Sequence, residues 1–465
     1  MVRKGQTMNL ENKLVTVVGL GMRTGVAVVE FLAEQGAEII VTDTKSKYEL
    51  AAELEKLTAY DFKLDLAGHN PAIILESDLI VVSPGVPANI PLLKQAQENN
   101  IEIISEIELA YRFSKASMVG ITGTNGKTTA TSLLGEIAKN IESNVSVGGN
   151  IGRALIKDLP YLSTEDLMIA EISSFQLEWV EEFRVDISIV LNITPDHLNR
   201  HIDFTDYMQA KKRLVTGQNK RDYAILNYDD EIVRDFAADT KAEVIYFSRQ
   251  KKLEKGVFLQ DGWIINGLGN EREKLIAVDD LALVGPHNLE NILAVVTCAL
   301  LLEVDKEKII STLKSFTGLE HRLEKFATIE GVSYINDSKA TNPAAAIKAL
   351  QSFPDSVILI AGGMDKKSDF SDFAQEISQR VKKLILLGET ANEIEQEVKK
   401  IGYDNLIHVN SLKEAVTKAS GLSEEGDVVL LSPACASWDM FSSYKERGNL
   451  FKSAVYELGR QQHES

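Results

Sequence analysis

Short apolar runs alternate along most of the chain with longer segments that carry apolar residues at helical spacing. The runs at residues 14–20, 166–171 and 187–193 are rich in branched side chains and end at glycine or polar residues. Between such runs, apolar positions recur every three or four residues, as at residues 130–141. This alternation predicts parallel strands joined by helices, an α/β fold. Residues 243–281 instead combine short apolar runs with glycine turns, which predicts a small β excursion.

The domain organisation follows from length and from the two places where this pattern restarts. The chain has 465 residues, which suits about three domains of ~100–200 residues each. We predict an N-terminal Rossmann-like domain at residues 1–115 and a C-terminal Rossmann-like domain at residues 319–465. Between them, residues 116–318 are predicted to form a central P-loop domain with a mostly parallel sheet and the β excursion.

The stretch MVGITGTNGKTT at residues 118–129 is the strongest chemical signal. A predicted buried strand runs into a loop of small residues, and a predicted helix opens at Lys127. Backbone N–H groups and the helix dipole converge on an anion in such a turn. Lys127 can reach terminal phosphates and the hydroxyl of Thr128 can bind Mg²⁺. The strict pattern requires glycine where this chain has Ile121, and an ordinary strand-to-helix turn also favours glycine. The Gly-Lys-Thr-Thr sequence nevertheless favours a nucleoside triphosphate site with Mg²⁺.

A second glycine-rich turn follows the first predicted strand. Gly19, Gly21 and Gly25 precede a helix, and Asp43 ends the next strand about 20 residues later. This resembles a dinucleotide fingerprint, although its spacing is one residue too long. A nicotinamide cofactor, another nucleotide diphosphate and a plain Rossmann-like turn all remain open.

Two further strand ends carry candidate ligands. Glu171 ends one predicted strand, and His197 follows another beside Asp196. Ligands of parallel sheets bind beyond the carboxyl ends of the strands, so both side chains are expected near Lys127. A carboxylate there can hold Mg²⁺, and the histidine can bind metal or a substrate anion. Taken singly, Glu171 could equally be a solvated acid at a strand end, and a lone histidine such as His197 is more often structural.

Two predicted helices carry polar residues with open roles. Asn288 and Asn291 lie three positions apart at the start of one helix, where one could cap the helix or both could reach a base or ribose. Lys211 and Lys212 indicate a solvent-exposed basic face unless one of them turns inward.

Composition narrows the class of protein. The net charge of −18 argues against a nucleic-acid binder. No apolar run of about 18 residues indicates a membrane span, and the first residues lack the apolar core of a signal peptide. Cys298 and Cys435 do not indicate a disulfide framework, which suits the cytoplasm.

Taken together, eight segments of the chain resemble the Mur ligases in type and order. They are GITGTNGKTT, GGNIG, EISSF, NITPDH, GPHNLEN, HRLE, NDSKATN and SPACASWD, and they span nearly the whole chain. The segments GLGMRTG, SPGVP, SSFQLE and SPACASWDMF are most similar to members of the family that add D-glutamate to a UDP-sugar precursor of peptidoglycan.

The resemblance implies an ATP-dependent amide ligase. Its substrates are expected to be ATP, UDP-N-acetylmuramoyl-L-alanine and D-glutamate, joined through an acyl phosphate with release of ADP and phosphate. Two Mg²⁺ sites, a monomer in the cytoplasm, and no nucleic-acid or membrane partner are expected.

The resemblance also implies roles for individual residues. Expected catalytic residues are Lys127, His197 and Lys211, with Lys211 carbamylated by CO₂. Expected ATP-binding residues are Gly123, Thr124, Asn125, Gly126, Lys127, Thr128, Thr129, Asn288, Asn291, Arg322 and Asp337. Expected Mg²⁺ ligands or supports are Thr128, Glu171, His197 and the modified Lys211. The UDP-substrate side is assigned to Gly19, Gly21, Thr24, Asp43, Thr44, Ser83 and Asn150. The amino-acid side is assigned to Lys339, Thr341, Lys366, Ser437, Trp438 and Tyr444.

Departures from the family pattern and alternative functions remain open. Trp438 and Tyr444 stand where Leu and Phe are common, and either Lys366 or Lys367 could face the amino acid. A sibling Mur ligase or a folate polyglutamyl ligase shares the ATP motifs, although the N-terminal glycine domain argues against the latter. A nicotinamide oxidoreductase leaves the Lys127 loop without a role, and a nucleotide-controlled switch performs no ligation.

Overall fold

The computed structural model describes residues 8–197, 200–283, 285–318, 320–353, 356–364 and 368–463. The chain divides into two compact units, Met1–Phe316 and Thr317–Ser465. The further division of the first unit at residue 115 stays a prediction. Within the described ranges the elements build three sheets, two in the first unit and one in the second. This confirms the α/β class with three sheet-containing parts.

The first sheet is parallel, with strand order β3-β2-β1-β4-β5. Its elements are β1 (Leu14–Val18), α1 (Thr24–Glu34), β2 (Glu38–Asp43), α2 (Ala51–Lys56), β3 (Lys63–Leu66), α3 (Pro71–Ile74), β4 (Leu79–Val82), α4 (Pro91–Glu98), β5 (Glu102–Ser105) and α5 (Glu106–Phe113). The direction of strand addition reverses between β1 and β4. Ligands of doubly wound sheets bind at such a reversal, beyond the carboxyl ends of the strands.

The second sheet has the order β14-β13-β12-β11-β10-β9-β6-β8-β7. Its elements are β6 (Ser117–Thr122), α6 (Lys127–Ala138), β7 (Val145–Gly149), β8 (Leu167–Glu171), β9 (Ile187–Val190), α7 (Phe204–Thr216), β10 (Tyr223–Asn227), α8 (Glu231–Asp235), β11 (Glu243–Ser248), β12 (Gly256–Gln260), β13 (Trp263–Gly267), β14 (Glu273–Ala277), α9 (Pro286–Leu301) and α10 (Lys306–Ser315). Across the sheet from β7 to β12, including β6, neighbouring strands are parallel. The pairs β12-β13 and β13-β14 are antiparallel. The predicted β excursion is therefore β11 to β14.

The core of the second sheet explains why its strands are continuously apolar. Val119 and Ile121 of β6 pack in one buried cluster with Leu133 of α6 and Ile292 of α9. Strands covered on both faces need apolar residues at successive positions. Burying each such side chain contributes about 1.5–3 kcal/mol, so β6 and α6 hold the intervening loop between two well-packed ends.

The third sheet has the order β15-β16-β20-β17-β18-β19 and is parallel except for the β15-β16 pair. Its elements are β15 (Glu324–Ile329), β16 (Val332–Asn336), α11 (Pro343–Leu350), β17 (Val357–Ala361), α12 (Ser371–Arg380), β18 (Val381–Leu386), α13 (Ala391–Lys400), β19 (Leu406–His408), α14 (Leu412–Leu422), β20 (Val428–Leu431) and α15 (Tyr444–His463). Both cysteines, Cys298 and Cys435, are buried, and neither forms a disulfide.

Candidate functional site

The loop between β6 and α6 has the backbone of a phosphate cradle. Gly126, the residue before the first helical turn of α6, has φ +85°, and Gly123 has φ +153°. Only glycine adopts these angles readily. A Cβ on Gly126 would lie 2.1 Å from Oδ1 of Asn291. Because helix α9 crosses so closely, the loop requires glycine there, and a glycine loop that opens a helix is a typical site for an anion.

Hydrogen bonds from neighbouring strand ends hold this loop in place. Asn192 accepts from the backbone N–H of Asn125 at 2.8 Å and donates back to its carbonyl at 3.2 Å. The hydroxyl of Thr124 meets the hydroxyl of Tyr207 at 2.9 Å and the carbonyl of Thr194 at 3.1 Å. The segment after β9 and helix α7 therefore fix the loop, a role that the sequence pattern did not assign to Asn192 or Tyr207.

Two lysines converge on the same carbonyl of the loop. Nζ of Lys127 donates to the carbonyls of Gly123 and Thr124, each at 2.8 Å. Nζ of Lys211 also donates to the carbonyl of Gly123, at 2.8 Å. The shared carbonyl of Gly123 therefore brings the two amino groups next to each other. An arriving polyanion would find both lysines at the mouth of the cradle.

The side chain of Lys211 turns inward, so the alternative that it lies on a solvent-exposed face of its helix is wrong for this residue. It is only 2% exposed, lies over the ring of Tyr207 at 4.9 Å and has no ion-pair partner among the described residues. Burial lowers the pKa of Lys211 well below its usual range, and the neighbouring charge of Lys127 lowers it further. Lys212, one position on, pairs with Asp239 instead. The helix thus presents to the phosphate loop a buried amine that loses its proton more readily than an exposed lysine does.

Glu171 lies at the end of β8, as expected, and is buried. Its Oε1 accepts a hydrogen bond of 2.6 Å from Nδ2 of Asn150. Its Oε2 is buried and has no hydrogen-bond partner in the described part of the chain. An unpartnered buried carboxylate oxygen is costly and suits a cation that fills the place of a missing donor. Asn150, expected on the UDP-substrate side, serves here as the support of Glu171.

His197 occupies a strained turn beside the loop. Its φ is +54°, which is uncommon for a residue with a side chain, and half of the side chain is exposed. Its ring meets the edge of Phe175 at 4.9 Å. Partial burial lowers the pKa of His197, and Lys127 and Lys211 act in the same direction against Asp196. The histidine is therefore neutral near pH 7, the form that can bind a metal ion or accept a proton.

A chain of hydrogen bonds centred on the buried side chain of His201 lies behind Phe175. Nε2 of His201 lies 3.0 Å from the hydroxyl of Ser174, and Nδ1 lies 3.0 Å from Oδ2 of Asp206. The His201 ring stacks on Phe175 at 5.5 Å. No spacing in the sequence signals this chain, because Ser174 lies 27 residues before His201. It fixes the ring against which His197 packs.

Helix α9 brings Asn291 to the phosphate loop rather than to its own N-terminus. Asn291 is buried, and its Oδ1 faces Gly126. The N-cap of α9 is Gly285, so neither Asn288 nor Asn291 caps the helix. Asn291 therefore lies beside the candidate phosphate loop, and the position of its amide is set by packing against that loop.

A cavity of about 570 Å³ opens at the strand-order reversal of the first sheet. Its lining includes six residues expected on the UDP-substrate side: Gly19, Gly21, Thr24, Asp43, Thr44 and Ser83. The hydroxyl of Ser83 donates to the carbonyl of Gly19 at 2.6 Å, and Oδ2 of Asp43 accepts from the N–H of Leu20 at 2.8 Å. Ser83 and Asp43 therefore shape the glycine turn as well as line the cavity.

In the second unit, Asp337 is buried at the end of β16. Its Oδ2 accepts from the hydroxyl of Ser432 at 2.8 Å, and its Oδ1 accepts from the N–H of Leu323 at 3.2 Å. Burial raises the pKa of Asp337 to about 7, although the Ser432 hydroxyl opposes the shift. The adjacent Arg322 and Lys339 are exposed. The charged ends of Arg322 and Lys339 therefore lie at the surface of this unit.

The loop after β20 carries the other expected amino-acid residues. Ser437 is buried, Tyr444 is partly buried and Trp438 is 64% exposed. Arg447, which no sequence pattern singles out, is buried and donates to the carbonyls of Ser338, Cys435 and Ala436 at 2.9, 3.1 and 3.2 Å. This guanidinium ties the loop to the segment after β16. Thr341, partly buried, lies just before α11, and the expected Lys366 falls outside the described residues.

No group of three or more His, Cys, Asp or Glu side chains capable of holding a metal occurs in the described ranges. A cation at the phosphate loop would therefore be held by Glu171, by the hydroxyl of Thr128 and by the phosphates of the nucleotide. One further ligand would have to come from a chemically modified side chain. As for membranes, the helices of the described segments are too short or too polar to cross one.

Comparison with known protein families finds a match for each of the three sheet-containing parts of the chain. Residues 13–105 match the MurD-like N-terminal domain of Mur ligases, residues 121–299 match the Mur ligase middle domain, and residues 321–435 match the Mur ligase glutamate ligase domain. The UDP-N-acetylmuramoylalanine–D-glutamate ligase of Pelotomaculum thermopropionicum is 45% identical over 447 residues, covering 96% of this chain and 98% of that protein. The chain belongs to the Mur ligase family.

Other relatives agree with this assignment. The enzyme of the same name from Clostridioides difficile is 44% identical over 452 residues, with 97% of this Mur ligase and all of that protein covered. Mur ligases are ATP-dependent ligases that act on small molecules. The expected ligase class and ATP dependence are thus confirmed, whereas the individual residue roles stay predictions.

Solved structures share the fold at low sequence identity. MurC, the UDP-N-acetylmuramate–alanine ligase of Thermotoga maritima, is 18% identical with a TM-score of 0.53, covering 98% of this Mur ligase and all of that chain. A pseudomurein peptide ligase type C from Methanothermus fervidus is 22% identical with a TM-score of 0.52, covering 96% of this chain and 99% of that chain.

Proposed function

We propose that this Mur ligase joins D-glutamate to UDP-N-acetylmuramoyl-L-alanine with cleavage of ATP to ADP and phosphate, in the cytoplasm and as a monomer. The observation that carries the proposal is the phosphate loop with Lys127 and Lys211 on one carbonyl and the unpartnered oxygen of Glu171 at the adjacent strand end, among the described residues. The names of relatives at 44–45% identity over nearly the full chain supply the substrates.

The chemistry follows from the weakness of a carboxylate as an acyl donor. An oxygen of the substrate carboxylate attacks the γ-phosphorus of ATP, the bond to the β-phosphate oxygen breaks, and ADP leaves. The amine of D-glutamate then attacks the acyl carbon, phosphate leaves with the former carboxylate oxygen, and the amine loses a proton. Lys127 neutralises charge on the transferred phosphoryl group, which is the dominant contribution in this class of reaction.

The residues at the loop suit Mg²⁺. We propose that Thr128, Glu171 and His197 support two Mg²⁺ sites, because a buried carboxylate oxygen that lacks a donor in the described part of the chain and a neutral imidazole are available there. Bound Mg²⁺ would neutralise phosphate charge and orient the phosphates for in-line transfer. In the same proposal the loop residues 123–129, Asn288 and Asn291 hold the nucleotide.

Carbamylation of Lys211 supplies the missing ligand. Lys211 is a buried amine with no ion-pair partner in the described ranges, so burial and the charge of Lys127 lower its pKa and favour the neutral form. Only a neutral amine adds to CO₂. The carbon of CO₂ bonds to Nζ, one proton leaves, and a carboxylate replaces a cation. We therefore propose that the carbamate of Lys211 helps to hold Mg²⁺ next to Glu171.

The remaining assignments are separate proposals for each unit. The cavity at the end of β1 and β4 is proposed to bind the UDP part of the substrate, because glycine backbone and a helix N-terminus suit a diphosphate. In the second unit, Arg322 and Asp337 are proposed to contribute to ATP binding. Recognition of D-glutamate is proposed for Lys339, Thr341, Lys366, Ser437, Trp438 and Tyr444.

Phosphate release tests the function directly. With ATP, Mg²⁺ and UDP-N-acetylmuramoyl-L-alanine, we expect sustained release only when D-glutamate is added, and no release with L-glutamate, L-alanine or meso-diaminopimelate. Release driven equally well by another amino acid would assign a sibling activity. Release without any amino acid would favour a nucleotide-controlled switch, and NADH binding at the 570 Å³ cavity would favour the oxidoreductase.

A further inference from the structure

Arg200 joins the two sheets of the first unit. Its Nη1 donates to the carbonyl of Gly85 at 3.3 Å, and its Nη2 donates to the carbonyl of Val86 at 2.5 Å. Nη2 also donates to Oε2 of Glu178 at 3.0 Å. The guanidinium lies 4.7 Å from the ring centre of Phe175. One side chain, mostly buried, therefore contacts the turn after β4 and the segment after β8.

The turn at Gly85 and Val86 is a wall of the 570 Å³ cavity. Val86 packs against the glycine turn, which also lines this cavity: a Cβ on Gly19 would lie 2.6 Å from Cγ2 of Val86. The hydroxyl of Ser83 closes the same contact by donating to the carbonyl of Gly19. A displacement of the turn would therefore change the width of the cavity directly.

On its other side, the guanidinium of Arg200 is linked to the phosphate loop through packed aromatic rings. Phe175, under the guanidinium, touches the ring of His197 edge-on at 4.9 Å and stacks on His201. The ring of His197 in turn lies 6.3 Å from the ring of Tyr207, whose hydroxyl meets the hydroxyl of Thr124 in the phosphate loop at 2.9 Å. The position of Arg200 is thus coupled to both ends of the path that a long substrate must span.

We propose that Arg200 is a positioning residue that holds the wall of the substrate cavity in register with the turn carrying His197. The inference rests on the proposed function, because the cavity is taken to bind the UDP part while the substrate carboxylate reaches the phosphate loop. A planar guanidinium can serve two carbonyls, a carboxylate and a ring at once, whereas the ammonium of lysine cannot reproduce that fork.

The test compares Arg200→Lys and Arg200→Gln with a matched control, Arg213→Lys. Arg213 donates to the carbonyls of Leu177 and Glu178, so it supports the same segment after β8. It makes none of the described contacts with the turn at Gly85 and Val86. The control therefore separates general support of the segment from the bridge to the cavity.

We expect Arg200→Lys to raise KM for UDP-N-acetylmuramoyl-L-alanine by about 10- to 100-fold, because hydrogen bonds from a charged donor are lost. KM for ATP should stay within about twofold, and kcat should fall less than kcat/KM. Arg200→Gln should show the same pattern, and Arg213→Lys should leave the KM for the UDP substrate within about twofold. Equilibrium titration with UDP should weaken for both Arg200 variants and not for the control.

The outcomes that would overturn the inference are distinct from those that would overturn the function. An unchanged KM and UDP affinity in both Arg200 variants, or equal changes in Arg213→Lys, would refute the positioning role while ligation by the wild type stands. A wild-type protein that neither binds UDP nor releases phosphate with D-glutamate would refute the proposed function, and the inference with it.

Discussion

Replacing Gly126 with alanine tests the geometry of the phosphate loop. Gly126 has φ +85°, and an added Cβ would lie 2.1 Å from Oδ1 of Asn291. A side chain in the left-handed region costs about 1–2 kcal/mol. Forcing an atom into a packed contact costs about 1–3 kcal/mol more. We therefore expect Gly126→Ala to lower the free energy of unfolding by about 2–5 kcal/mol.

Calorimetry of four proteins separates the cost of the left-handed backbone at Gly126 from the cost of overlap with Asn291. The set is wild type, Gly126→Ala, Asn291→Ala and the double variant. At roughly 2 °C or more per kcal/mol for a large domain, Gly126→Ala should lower the unfolding midpoint by at least about 4 °C. In the Asn291→Ala background the overlap is absent, so the added loss should shrink by about 1–3 kcal/mol. The loss of stability caused by the positive φ at position 126 should remain.

Gly262→Ala is the matched control for the backbone contribution. Gly262 has φ +74°, and no described atom lies within 4 Å of the position that a Cβ would take, so this change carries backbone strain without overlap. It should cost about 1–2 kcal/mol. A Gly126→Ala variant no less stable than Gly262→Ala would refute the overlap with Asn291. So would an effect of Gly126→Ala that stays the same when the side chain of Asn291 is removed.

Three further predictions concern charge at and away from the site. Lys127→Ala should lower D-glutamate-dependent phosphate release by several orders of magnitude, because charge on the transferred phosphoryl group is no longer neutralised; near-full activity would refute its role. Lys211→Ala should be inactive and partly rescued by a short carboxylic acid, while wild type should lose activity when CO₂ is removed; failure of both results would contradict carbamylation. Burial raises the pKa of Glu106 from 4.5 to about 7, so the folded state binds this proton more tightly, and the free energy of unfolding should fall by about 3 kcal/mol as pH rises through that range. Glu106→Gln should remove that slope in urea unfolding at pH 5 and pH 8, and an unchanged slope would show that other groups cause it.

The sequence predicted the fold well where a pattern is local. The strands around the phosphate loop and the helix α6 follow from apolar runs and glycine positions, and the β excursion follows from short strands with glycine turns. Strand β3 and strand β19 were missed because they lie at sheet edges and carry polar residues such as Lys63 and His408. Edge strands have less apolar content, so periodicity identifies them poorly.

Side-chain direction could not be read from the sequence. Lys211 and Lys212 are equivalent in pattern, yet one is buried against the phosphate loop and the other pairs with Asp239. The contact of Asn291 with Gly126 depends on how α9 crosses α6, which no local pattern encodes. Arg200 carries no motif of its own, because its partners come from segments far away in the sequence. Such roles arise from tertiary packing.

Isotope transfer tests the central claim that a triphosphate held at the loop of Lys127 activates a carboxylate. UDP-N-acetylmuramoyl-L-alanine labelled with ¹⁸O in its terminal carboxylate is turned over with ATP and D-glutamate, and the released phosphate is analysed by mass spectrometry. We expect one ¹⁸O atom in each phosphate, because the carboxylate oxygen leaves with the phosphoryl group. Unlabelled phosphate formed together with the amide product would contradict activation by phosphoryl transfer.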